Sequence, residues 1–101
     1  MDYVIGVDIG TQSTKALLVD CNGAIVAQHA CGYQPDTPKP LWAEQWPSVW
    51  FDAVLECVAR CVEAARAQRI EAQSIRSICV SSLYGGSGIP VDGDIRPLHP
   101  C

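Results

Sequence analysis

Val4-Ile5-Gly6-Val7-Asp8-Ile9-Gly10-Thr11-Gln12-Ser13-Thr14-Lys15-Ala16-Leu17-Leu18-Val19-Asp20 places a single acid and a polar turn between two apolar runs. Tyr3 to Ile9 is apolar nearly throughout, as a strand covered on both faces requires, and it carries the carboxylate of Asp8 toward its end. Gly10 has no Cβ, so the backbone can turn there, through positive φ if needed, and a ligand can come close. Thr11, Gln12, Ser13 and Thr14 then offer hydroxyls, an amide and backbone N–H groups, and Lys15 opens the second strand. Strand, acid, glycine, polar turn, strand is a way to build a nest for phosphate oxygens with a metal ion nearby. An ordinary hairpin with a polar turn has the same pattern, so the choice falls to the rest of the chain. A Walker A loop is excluded, because its glycine and Gly-Lys-Ser/Thr spacing is missing and a strand, not a helix, follows.

With 101 residues there is room for one small domain. The hydrophobic share is 49% and the charged share 18%, which favours a packed core over disorder. A net charge of -4, with seven scattered basic residues, speaks against nucleic acid as a partner. The apolar stretches are too short to span a membrane, and no secretory signal pattern opens the chain. The six cysteines are irregularly spaced, and Cys57 and Cys61 fall in a helical pattern. They read as reduced thiols in a cytoplasmic protein.

Lys15 to Asp20 is a second strand. Asn22-Gly23 is a hairpin signal, and Ala24 to Tyr33 makes a third strand. Prolines 35, 38 and 40 forbid a regular ladder in the loop that follows. From Ser48 to about Arg69, apolar residues 50, 51, 54, 55, 58, 61, 62 and 65 recur at helical spacing, and Glu56 and Arg60 stand in a favourable i,i+4 order. Pro47 suits the first helical turn. Trp46 before it has no acceptor with which to cap the helix, so Ser48 is the candidate cap one turn later. Ile75 to Ser81 is a fourth strand. Cys57 and Cys61 sit at a spacing that can bind metal, but no second ligand pair matches them, and core packing is the better account. His29 lies on a strand face, and His99 and Cys101 lie in an exposed tail.

Asp8-Ile9-Gly10-Thr11-Gln12-Ser13-Thr14-Lys15 resembles the first phosphate-binding element of the sugar-kinase, Hsp70 and actin superfamily. It looks most like the version in FGGY-type carbohydrate kinases, the group containing xylulokinase and glycerol kinase. Trp42-Ala43-Glu44-Gln45 is similar to the Trp-x-Glu-Gln segment that such kinases carry before their first long helix. Val91-Asp92-Gly93 and Ile95-Arg96-Pro97 fit the family's turn after the fourth strand. Two places depart from it. Ser82-Leu83-Tyr84-Gly85 stands where xylulokinases carry Gln-Met-His-Gly, and Leu98-His99-Pro100-Cys101 does not resemble the strand that continues the family's domain.

The resemblance implies an α/β architecture of ribonuclease-H-like type, incomplete, with the order β-β-β-α-β plus a terminal hairpin. Residues 1–101 would then be part of an amino-terminal kinase domain, a truncated product or fragment, with the second domain outside it. It implies ATP and Mg²⁺ as cofactors, and a sugar or polyol as the small-molecule partner. Asp8 would hold the metal, while Gly10, Thr11, Gln12, Ser13, Thr14 and Lys15 would face the phosphates. Leu83, Tyr84, Trp42 and Glu44 would face the sugar. Competing readings are a turn-capping acid for Asp8 and plain packing for the aromatics. The family's catalytic base is an Asp beyond this sequence, so the chain alone is expected to be inactive. A sheet that ends at its fourth strand leaves an open edge and invites self-association. A partner-binding half-domain without catalysis, or an ATPase nearer Hsp70 or actin, are the rival functions.

Overall fold

The computed structural model describes residues 1–82 and 88–101. Strands β1 (Tyr3–Ile9), β2 (Ser13–Asp20) and β3 (Ile25–Gly32) form an antiparallel meander. Helix α1 (Pro47–Ala67) crosses back, a short 3-10 turn (Ala72–Ser74) follows, and β4 (Ile75–Ser81) joins parallel to β1. The sheet order is β3-β2-β1-β4. The β2–β3 turn is closed by Asp20, whose carboxylate accepts from the N–H groups of Asn22 and Ala24, both at 2.9 Å. Gly23 supplies the positive φ, 84°, that this turn needs.

Alternation divides the sheet. Ile5 and Val7 of β1 and Thr14, Ala16 and Leu18 of β2 face α1 and are buried. Val4, Asp8 and Lys15 alternate with them onto the opposite face. Ile5 and Leu18, 1% and 0% exposed, are the largest core side chains. Cutting either back to Ala should cost about 2–5 kcal/mol.

The helix buries most of the face its hydrophobic pattern suggests, with Cys61 and Ala65 in the seam and Val54, Val58 and Val62 packed beside it. Ala53, Cys57, Cys61 and Ala65, each four residues apart, lie against the sheet, whereas Phe51 and Leu55 stay exposed. Small residues let the helix approach closely, so they take the seam and the bulkier ones flank it. Cys57 and Cys61 are therefore core, as their spacing without partner ligands implied, and their thiols lie against the carbonyls of Thr14 and Ala16. Trp46 caps the helix start without a side-chain hydrogen bond. Ser48 does not replace it, since Pro47 already begins the helix and no side-chain cap forms. At the other end Ile70 N–H bonds Ala65 O and Arg69 N–H bonds Arg66 O. This closing motif usually places glycine at the left-handed position, here held by Arg69 at φ 61°. The expected Glu56–Arg60 pair does not form. Arg60 bonds Glu63 at 3.1 Å instead, the ion pair found among the described residues.

The terminal hairpin reduces to one bridge, Val91 to Pro97, around a turn in which Asp92 Oδ1 accepts from the N–H groups of Asp94 and Arg96. Nor is the tail loose. The backbone N–H and C=O of Cys101 each pair with Gln45, at 2.7 Å. All six cysteines are free thiols. Among the described residues no helix is long and apolar enough to cross a membrane.

Candidate functional site at the Asp8–Thr14 turn

The β1–β2 connection is held from behind by three carbonyl contacts. Tyr33 Oη donates to Gly10 O at 2.6 Å, Gln45 Nε2 donates to Thr11 O at 2.7 Å, and Tyr33 N–H donates to Gln12 O at 2.9 Å. A trans peptide unit points its C=O and N–H in opposite directions. Fixing the carbonyls of Gly10 and Thr11 therefore aims the N–H groups of Thr11 and Gln12 away from Tyr33 and Gln45. Thr11 and Gln12 are exposed, and neither N–H meets an acceptor among the described residues. Such outward amides can receive an anion.

The holding side chains are themselves anchored. Trp50 Nε1, on α1, donates to Gln45 Oε1 at 2.9 Å. Thr14 Oγ1 lies 2.9 Å from Tyr33 Oη. Because the single phenolic proton goes to Gly10 O, the Thr14 hydroxyl is the donor in that second bond. The result is a relay from Thr14 through Tyr33 to Gly10, whose members reinforce one another.

The Thr14 side chain thus points away from the face that carries Asp8 and Lys15. Strand alternation turns its side chain to the helix side, where it is 0% exposed. Gly10 is used for its missing Cβ. It does not adopt positive φ, but a Cβ there would lie 3.0 Å from Ser13 O, to which Gly10 N–H donates at 2.8 Å. A side chain there would push Ser13 O back by a few tenths of an ångström.

Asp8 is exposed and stands directly opposite Lys15 across the β1–β2 ladder, with Ser81 of β4 on its other flank. The three border an open concavity of about 880 Å³ on the sheet face away from α1. An exposed carboxylate beside outward amides and an ammonium suits a hydrated magnesium ion and phosphate oxygens. Ser13, half-buried, is on the same face of β2 as Lys15.

Trp42 is half exposed in the loop of residues 37–43, with Lys39 Nζ 4.7 Å above its ring. Glu44 pairs through its backbone with Asp36. Neither side chain hydrogen-bonds to the turn, and the structure ties this segment to the site through Gln45 instead. Leu83 and Tyr84 lie outside the described residues. Tyr33 and Gln45 are the members that sequence reasoning missed. The Trp-x-Glu-Gln segment contained one of them, but nothing local marks Tyr33, which acts on a residue 23 positions away.

A mixed sheet of this order with its crossover helix and glycine turn is the opening of the ribonuclease-H-like fold shared by actin, Hsp70 and sugar kinases. Residues 3–101 match the FGGY family of carbohydrate kinases, N-terminal domain, and the chain belongs to that family. The match runs through the tail, residues 98–101, as well. The gluconokinase of Bacillus subtilis (strain 168) is 38% identical over 99 residues, covering 98% of this chain and 18% of that protein. The crystal structure of gluconate kinase from Lactobacillus acidophilus is similar at a TM-score of 0.82 and 35% identity, over 98% of this chain and 19% of that one. Xylulose kinase from Rhodospirillum rubrum gives 0.81 and 30%, over 97% and 19%. The chain spans under a fifth of these relatives' length.

Proposed function

We propose that this chain forms the first phosphate-binding wall of a kinase that transfers the γ-phosphoryl group of ATP to a hydroxyl of a sugar, polyol or sugar acid. The observation that carries this is the turn with its carbonyls tied back and its amides turned outward beside Asp8. Phosphoryl transfer passes through a loose, anionic transition state, so positioned charge and amides do most of the work. Thr11, Gln12 and Ser13 would receive phosphate oxygens, and Asp8 would hold a hydrated Mg²⁺, which supplies charge neutralisation when bound. Lys15 faces the same side of the sheet and would add one positive charge. The family resemblance puts the general base, an Asp, outside these residues. A base alone is typically worth about 10²–10⁴-fold, so the 101 residues are expected to bind nucleotide weakly and to phosphorylate nothing.

Titration calorimetry with Mg·ATP tests this. Weak, millimolar binding that disappears in Asp8→Ala and on magnesium chelation is the expected result. Binding unchanged in Asp8→Ala, or sugar phosphorylation in a coupled assay of the chain alone, would overturn it. A second reading, a half-domain that binds a partner and catalyses nothing, is favoured by the half-exposed Ile78 and Val80 on the outer strand β4. A folded chain that binds no nucleotide would support it.

A further inference from the structure

A cluster on the other side of the molecule has no part in the phosphate wall. His29 and Cys31 stand two residues apart on the edge strand β3, so both side chains lie on the face turned to α1. Glu56 comes from α1 to meet them. Its Oε2 accepts from Cys31 Sγ at 3.0 Å, and the imidazole, thiol and carboxylate ligand atoms all lie within 4.8 Å of one another. Two of the three positions are fixed by the β2–β3 ladder, in which Ala16 pairs with His29 and Thr14 with Cys31.

We propose that His29, Cys31 and Glu56 form a binding site for a borderline divalent transition-metal ion, Zn²⁺ or Co²⁺ in kind. The donor set decides the ion class. One nitrogen, one sulfur and one carboxylate oxygen suit zinc or cobalt in a tetrahedral arrangement, while magnesium and calcium prefer oxygen alone. Charge agrees, since a dication with one thiolate and one carboxylate is neutral. Glu56 is exposed and His29 and Cys31 are half-buried, so the fourth position opens to water. Without metal, the Cys31 thiol donates its proton to Glu56. Coordination displaces that proton to solvent, with the metal taking its place on sulfur. The bound ion would staple β3 to α1 two residues before Tyr33, whose hydroxyl holds Gly10.

The test is titration of the chelator-treated chain with Co²⁺, followed by displacement with Zn²⁺. Saturable one-to-one binding with a near-ultraviolet thiolate-to-cobalt band is the expected result, abolished in Cys31→Ser. His29→Gln and Glu56→Gln should weaken affinity by more than the roughly 10–100-fold that outer partners of a metal site contribute. A Cys21→Ser/Cys79→Ser variant, altered only at exposed thiols, should bind as the parent does. If Cys31→Ser fails to fold by circular dichroism, the His29 and Glu56 variants decide alone. Unchanged affinity in both, a cobalt band that survives Cys31→Ser, or one lost with Cys21 and Cys79, would overturn the site.

Discussion

Replacing Tyr33 with Phe removes one hydroxyl and breaks two bonds, to Gly10 O and to Thr14 Oγ1. The two losses differ in kind. Gly10 is half-exposed, so water can take over its carbonyl at a net cost of about 0.5–1.5 kcal/mol. Thr14 is 0% exposed, so its hydroxyl is left unpaired, at about 1–3 kcal/mol. Together Tyr33→Phe should destabilise the chain by about 1.5–4.5 kcal/mol. Thr14→Val alone leaves Tyr33 still donating to Gly10 and should cost only about 0.5–1.5 kcal/mol. In the double variant there is no orphaned hydroxyl, so its cost should fall at least about 1 kcal/mol short of the sum. Urea unfolding followed by tryptophan fluorescence measures all four corners of the cycle, with equal m values as the check on the denatured state. Additivity within about 0.3–0.5 kcal/mol would refute the relay.

At the helix end, Arg69→Gly should raise stability by about 0.5–1 kcal/mol, because the left-handed position at φ 61° strains any residue with a Cβ; the same urea assay reads the sign. Burial lifts the Cys31 thiol from its usual 9.0 to about 12 and, with help from the charge on Cys57, lifts Cys61 as well. The unfolded chain therefore releases these protons first. Stability is intact below 9.0 and declines as pH rises toward about 12; Cys31→Ala should flatten that decline in unfolding midpoints taken across the range. The unpaired outer edge of β4, beside Ile78 and Val80 at 53% and 52% exposure, should draw copies of the chain together; size-exclusion chromatography is expected to show mass rising with concentration, and a constant monomer would count against it.

Strand and helix positions were largely legible because their signals are local. The apolar run of β1, the Asn22-Gly23 turn and the proline-rich loop mark their own boundaries within a few residues. The site was legible at Asp8 and Gly10 but not in its facing. Thr14 belongs to the core because α1 covers that side of β2, and periodicity alone does not say which side a helix will choose. Gly10 reads from the sequence as a place for a turn and a close approach, but how much room it must leave depends on where Ser13 O comes to rest. Tyr33 and Gln45 act across 23 and 34 residues, a distance over which turn chemistry carries no mark. Phe51 and Leu55 fit the helical spacing yet lie outside the seam, since shape complementarity at the sheet admits smaller residues first.

The stripe Ala53, Cys57, Cys61, Ala65 sets how near the helix rests on the strands beneath it. That clearance does more than fill a core. The same helix carries Trp50, whose indole steadies Gln45, which in turn grips Thr11. A bulkier residue anywhere along the stripe would lift the rod, and with it the indole that holds Gln45 against Thr11. The thickness of the packing layer is in this sense a dimension of the Asp8–Thr14 turn itself.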